Sequence, residues 1–201
     1  FDWTKTDDGN YFITVGDVMG KGVRAKFYAF SFLSYVRGTL HAMLRESDSP
    51  AELLRRVNQM LIEDEVMEET FASLLLINWN PDAHTITYAN AGHCRPVLAL
   101  PNGAEIVAHS DLILGLEAGT QFTDTTFDLP PDSALVLYTD GLMEQRLPSG
   151  ETLGEDGVIE IAAAALEDNE PVRSMLEAAL KRSEADEFED DILAFWLQRE
   201  A

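Results

Sequence analysis

The chain has 201 residues, 46% of them hydrophobic, which is enough to enclose the core of one domain, while no apolar run reaches the roughly 20 residues a membrane helix needs. Fourteen basic against 36 acidic residues leave a net charge of −22, which repels both a nucleic-acid backbone and an anionic membrane. A single cysteine cannot form an internal disulfide, and residues 1–3 lack the basic start and apolar core of a signal peptide, so the expectation is a soluble, cytoplasmic protein without nucleic-acid or membrane partners.

Residues 10–16 (NYFITVG) are rich in aromatic and β-branched side chains and run into Asp17, which predicts a strand with an aspartate at its tip. From 23 to 44, Val23, Phe27, Phe30, Val36, Leu40 and Met43 recur mostly three or four apart, as on one face of a long helix. A second helix starts at Pro50, with Ser49 and Glu52 at capping-box spacing and Leu53, Leu54, Val57, Met60 and Leu61 as its buried stripe. Between 71 and 127 the texture changes to short β-prone segments, at 71–79, 85–91, 96–100 and 105–108, punctuated by turns at 80–82 and 101–103; these read as antiparallel hairpins. Pro130-Pro131-Asp132 turns the chain into the apolar run 134–138, which ends at Asp140-Gly141. Helical patterns follow over about 157–166 and 171–182, and a last strand at 192–197 is opened by Asp190 and Asp191. Helix pairs segregated from runs of antiparallel strands indicate α+β architecture, most simply two sheets packed face to face with helices outside.

Aspartates thus stand at three predicted strand ends, Asp17, Asp140 and Asp190-Asp191, and carboxylates gathered that way suit a hard cation and phosphate chemistry. Competing phosphate chemistries fail on spacing. Gly16 and Gly20 leave three residues between them where a P-loop needs four before Gly-Lys, and Gly22 stands where it needs Ser or Thr. Cys94 has Leu100 six positions on, where a cysteine phosphatase places Arg; the four histidines form no helical zinc pair, and no Gly-x-Ser-x-Gly elbow occurs. Glycines on both sides of Asp17 let backbone approach closely, and the Val18 carbonyl could add a neutral ligand. Lys21 and Arg24, a turn apart at the start of the long helix, could steer a phosphate, although solvation is the plainer reading of both. His93 reads as a hydrogen-bonded turn residue and Cys94 as packing.

With these residues in place, the chain resembles the bacterial stage-II-sporulation-E-like branch of the metal-dependent protein phosphatases, the protein phosphatase 2C superfamily. The resemblance rests on residues 16–22 (GDVMGKG), 88–93 (YANAGH), Leu114-Gly115, 138–146 (YTDGLMEQR) and Asp190-Asp191. It implies an α-β-β-α sandwich of two antiparallel sheets flanked by helices, and two Mn²⁺ or Mg²⁺ ions that activate water. Asp17, Asp140 and Asp190 would be the catalytic set, and Asp17, the Val18 carbonyl, Asp140, Asp190 and Asp191 the metal ligands. It further implies hydrolysis of phosphoserine or phosphothreonine on a protein, typically a phosphorylated STAS-type anti-anti-sigma factor, with a sensory or receiver domain upstream; the oligomeric state, a homodimer included, stays open.

Two departures from the family pattern are visible. Phe1-Asp2 matches only the last two positions of the family's first motif, so residues 1–201 read as a single phosphatase domain lacking its first strand and first metal-binding motif: either these precede the given sequence, or the domain is truncated there, and in the second case one metal position would be weakened. Leu193 stands where the family has Thr, so a hydroxyl that could orient the adjacent aspartate is missing. Two other readings compete with the enzyme: a catalytically silent relative that binds a regulatory protein through the same surface, and a hydrolase of small phosphoesters.

Overall fold

A computed structural model describes residues 1–19, 23–44, 47–63, 71–107 and 109–200. The chain is α+β and divides into two compact units, Phe1–His93 with His109–Asp128, and Cys94–Ala108 with Leu129–Ala201.

The first unit carries a five-stranded antiparallel sheet in the order β1 (Asp2–Lys5), β2 (Tyr11–Met19), β3 (Phe71–Asn80), β4 (Thr85–Ala91) and β7 (Thr125–Asp128). Its helices are α1 (Val23–Met43) and α2 (Pro50–Glu63). Strand alternation decides which residues meet them. Phe12, Leu74, Leu76, Ala89 and Ala91 share one face and pack against Phe32, Val36 and Leu40 of α1 and Leu53, Leu54, Val57 and Leu61 of α2. Leu53, Leu54 and Val57 have no exposed surface, and burial of each contributes about 1.5–3 kcal/mol. The opposite face, with Ile13, Val15, Leu75, Ile77, Ile86 and Tyr88, is buried as well, which is why β3 reads as an unbroken apolar run.

The start of α2 follows half of the expected capping box. Ser49 Oγ accepts the Glu52 N–H at 3.1 Å, but the Glu52 carboxylate turns to Arg55 and Arg56 instead of the cap. Asp124, 75 residues on from Ser49, completes the cap by accepting from the Ser49 hydroxyl at 2.5 Å and from the Ala51 N–H at 2.8 Å. Asn58, buried in α2, holds the 114–117 loop: its Nδ2 donates to the Glu117 carbonyl at 2.9 Å and its Oδ1 accepts from the Gly115 N–H at 2.8 Å.

The second unit carries a four-stranded antiparallel sheet in the order β6 (Gly103–Ile106), β5 (Val97–Leu100), β8 (Ser133–Tyr138) and β9 (Ala194–Arg199). Val97, Val136 and Tyr138 pack with Val158, Ile161, Ala162 and Ala165 of α4 (Gly154–Ala165) and Met175 and Ala179 of α5 (Pro171–Ser183). A short helix, α3 (Asp140–Met143), follows β8 directly.

Two expected boundaries at the aspartate motifs move, and two strands appear that the sequence pattern does not show. β2 continues through Asp17 to Met19 because β3 offers pairing partners that far, Ser73 for Asp17 and Phe71 for Met19, so Asp17 lies inside the ladder and not at the strand's tip. The last strand begins at Ala194, two residues later than expected, since β8 ends at Tyr138 and supplies no ladder partner earlier than Ala194. β1 and β7, each four residues long, are too short for a sequence period to show.

Candidate functional site

Asp17 is exposed, and its Oδ1 accepts the N–H of Val18 at 2.8 Å, which fixes the direction of the carboxylate. Gly16 makes this stretch of β2 possible: a Cβ there would lie 2.6 Å from both the Ser73 carbonyl oxygen and Leu74 Cδ1, closer than side-chain carbons come. The cross-strand partner of Asp17 is Ser73, whose hydroxyl lies 2.8 Å from Nδ1 of the buried His93. Asn90 closes the turn around that histidine, accepting the His93 N–H at 2.8 Å and donating to its carbonyl at 3.0 Å. His93 is thus the hydrogen-bonded turn residue the sequence suggests. Val18 continues β2 opposite Ala72. Lys21 and the side chain of Arg24 lie outside the described residues.

Asp140, Asp190 and Asp191 belong to the second unit, and all are exposed. Asp140 opens α3 and its Oδ1 accepts the Gly141 N–H at 3.0 Å; Asp190 Oδ1 accepts the Asp191 N–H at 2.7 Å. All three motif aspartates are therefore preset by the amide that follows them. The two loops of this unit, 50 residues apart in sequence, touch at Gly141. A Cβ on that residue would lie 2.7 Å from the Asp191 carbonyl oxygen, 3.3 Å from Ile192 Cγ1 and 3.4 Å from Asp190 Cβ. The same contact is flanked by hydrogen bonds: Leu193 N–H donates to Thr139 Oγ1 at 2.9 Å, Thr139 N–H to the Leu193 carbonyl at 3.1 Å, and Glu189 N–H to Gln145 Oε1 at 3.2 Å. The Thr139 hydroxyl at the facing strand end holds the backbone of this segment at Leu193. Thr139 and Gln145 both lie in the 138–146 motif; Thr139 is marked there only by adjacency to Asp140, and Gln145, five positions on, carries no signal of its own.

Cys94, whose Sγ lies 3.9 Å from Met143 Sδ, belongs to the packing of this unit. Burial, reinforced by the negative charge of Asp140, pushes its thiol up to about 12. The thiol is neutral at physiological pH and has no nucleophilic role.

The donors fit a hard cation in kind, being exposed carboxylates with preset orientation, and the residue that follows Asp140, Gly141, packs against the segment that carries Asp190 and Asp191. Among the described residues, no three His, Cys, Asp or Glu side chains gather closely enough to hold an ion on their own.

Residues 7–200 match the family model described as stage II sporulation protein E (SpoIIE). The chain belongs to the SpoIIE family. Among its relatives, this SpoIIE-family chain is 26% identical to the phosphoserine phosphatase RsbU of Bacillus subtilis (strain 168) over 141 residues, which are 69% of the chain and 40% of RsbU. It spans less than half the length of the curated relatives it matches. The SiaA-PP2C domain of Pseudomonas aeruginosa superposes with a TM-score of 0.82 at 16% identity, covering 98% of this chain and 78% of that one. RsbX, solved in complex with magnesium, gives 0.64 at 18% identity over 96% and 82%. The SpoIIE-family fold expected from the sequence, α+β with two antiparallel sheets and flanking helices as in protein phosphatase 2C, is the fold present.

Proposed function

We propose that this SpoIIE-family domain is a metal-dependent protein phosphatase that hydrolyses phosphoserine or phosphothreonine on a regulatory protein in the cytoplasm. The observation that supports the proposal is the contact of the Asp140 and Asp190 loops across Gly141, which sets two distant aspartate motifs side by side. In this reading Asp17, the Val18 carbonyl, Asp140, Asp190 and Asp191 hold two Mn²⁺ or Mg²⁺ ions. When bound, such ions supply a water of lowered pKa and charge stabilisation for the phosphoryl oxygens. The chain's own part is to hold and aim the carboxylates: Val18, Gly141 and Asp191 each give a backbone N–H to the motif aspartate before them.

The likeness to the phosphoserine phosphatase RsbU supports phosphoserine as the group hydrolysed; a phosphorylated STAS-domain anti-anti-sigma factor as substrate, with a sensory or receiver domain setting the activity, is what the resemblance of the sequence motifs implies. The test is phosphate release from a phosphoserine STAS-domain protein beside release from nucleoside triphosphates, both under Mn²⁺, with the chain and its Asp140→Asn variant. Release from the phosphoprotein alone, lost in the variant, is expected. Tight binding of the phosphoprotein without release would make the domain a binding module, and turnover of nucleotides alone would make it a small-phosphoester hydrolase.

A further inference from the structure

We infer that Thr139 and Gln145 are positioning residues that set the separation of the Asp140 carboxylate from those of Asp190 and Asp191; the inference rests on the phosphatase reading above and assigns roles to two side chains outside the ligand set. The segment carrying Asp190 and Asp191 has no regular structure of its own, since β9 starts only at Ala194. It is pinned at two points, one on each side of the aspartates. On the N-terminal side, Glu189 N–H donates to Gln145 Oε1 at 3.2 Å. On the C-terminal side, Leu193 N–H donates to Thr139 Oγ1 at 2.9 Å while Thr139 N–H returns a bond to the Leu193 carbonyl at 3.1 Å.

Both pins are anchored in rigid structure. Thr139 joins β8 to α3 and immediately precedes Asp140, so the residue that grips one aspartate segment also delivers the other. Gln145 is 2% exposed, and its own carbonyl accepts the N–H of the core residue Leu153 at 2.8 Å. A glutamine buried to this degree with its side chain spent on a loop amide has its direction fixed from both ends. Between the pins, Gly141 leaves room for the Asp191 carbonyl and nothing larger. Thr139, Gly141 and Gln145 thus form a clamp on the backbone of the 189–193 segment, and through that backbone they would act as outer partners that hold the attached carboxylates in place for a divalent cation. An Arg146–Glu189 pair at 3.4 Å adds little, because both side chains are mostly exposed.

The test uses the whole chain with Mn²⁺ and p-nitrophenyl phosphate as probes. Thr139→Val keeps the shape and deletes the hydroxyl, Thr139→Ser keeps the hydroxyl, and Gln145→Met deletes the second acceptor at nearly constant length. Loss of an outer partner weakens Mn²⁺ binding by about tenfold or more, so Thr139→Val and Gln145→Met should each raise the calorimetric Mn²⁺ Kd at least that much. They should lower kcat at saturating Mn²⁺ while KM for p-nitrophenyl phosphate stays near the parent value; Thr139→Ser should stay within about twofold of the parent in Kd. Thermal melts identify any variant that fails to fold, and the other pin then carries the test alone. Parent-like Mn²⁺ affinity in folded Thr139→Val and Gln145→Met would overturn the clamp and leave the phosphatase reading standing, as would a Thr139→Ser loss equal to that of Thr139→Val. A parent chain that neither binds Mn²⁺ nor turns over would overturn both.

Discussion

Gly141→Ala places one methyl group where the two aspartate loops meet, and its cost can be worked from the contact distances. The new Cβ would stand 2.7 Å from the Asp191 carbonyl oxygen, whereas ordinary contact begins at 3.4 Å, so loop or helix must yield by about 0.7 Å. Alanine is favoured over glycine inside a helix by up to about 1 kcal/mol, and α3 would gain part of that. The clash wins because the opposing atom is backbone, pinned on both sides by Thr139 and Gln145, and cannot swing away like the end of a side chain. Overpacking of this kind costs about 1–3 kcal/mol, and with about 2–4 °C lost per kcal/mol in a chain of this size the melting midpoint should fall by about 2–12 °C. Since the displaced atoms carry Asp190 and Asp191, Mn²⁺ affinity should fall as well. Circular-dichroism melts with parallel Mn²⁺ calorimetry read both effects. A variant that melts within a degree of the parent and binds Mn²⁺ equally well would show that the two loops are not in the close contact described.

Asn58→Ala should lower stability by about 2 kcal/mol, seen as a drop of about 4–8 °C in the melt, because the Gly115 N–H and the Glu117 carbonyl lose their buried partner; an unchanged midpoint would contradict that role. Glu52 is held down to about 2 by its hydrogen bonds to Arg55 and Arg56, against an ordinary value of 4.5. A depressed carboxylate stabilises the fold above its unfolded value and loses that effect as pH falls through its folded one, so the gap in midpoint between parent and Glu52→Gln should close between pH 4.5 and 2. The gap itself is small, under about 1 kcal/mol at pH 7, because the pair faces water; an equal gap at both ends of the range would refute the linkage. The Cys94 thiol, partly buried and pushed up to about 12, should react with a disulfide reagent at pH 8 far more slowly than a free thiol, and labelling of the native chain at the free-thiol rate would refute that shift.

The helices and central strands were legible because their signals are local. α2 begins at Pro50 and β4 spans Thr85–Ala91, as periodicity and turn residues indicate. Asp124 as a cap for α2 and Asn58 as the brace of the 114–117 loop were not legible, since each depends on a contact made across at least 57 residues of chain. The site divides in the same way. Glycines and aspartates mark the motifs in the sequence, but that Asp140 meets the Asp190 segment through Gly141 is a property of β8 and β9 pairing side by side. The bond from the Leu193 N–H to the Thr139 hydroxyl was not legible either, since it joins residues 54 apart in the sequence.

The most direct test of the central claim is phosphate release from a phosphoserine STAS-domain protein, titrated with Mn²⁺ after EDTA treatment, for the chain and its Asp17→Asn variant. Release that appears only with the metal, saturates, and is abolished in a variant with the parent's melting curve is the predicted result. Turnover that persists in EDTA, or in Asp17→Asn at the parent rate, would contradict a mechanism built on these aspartates.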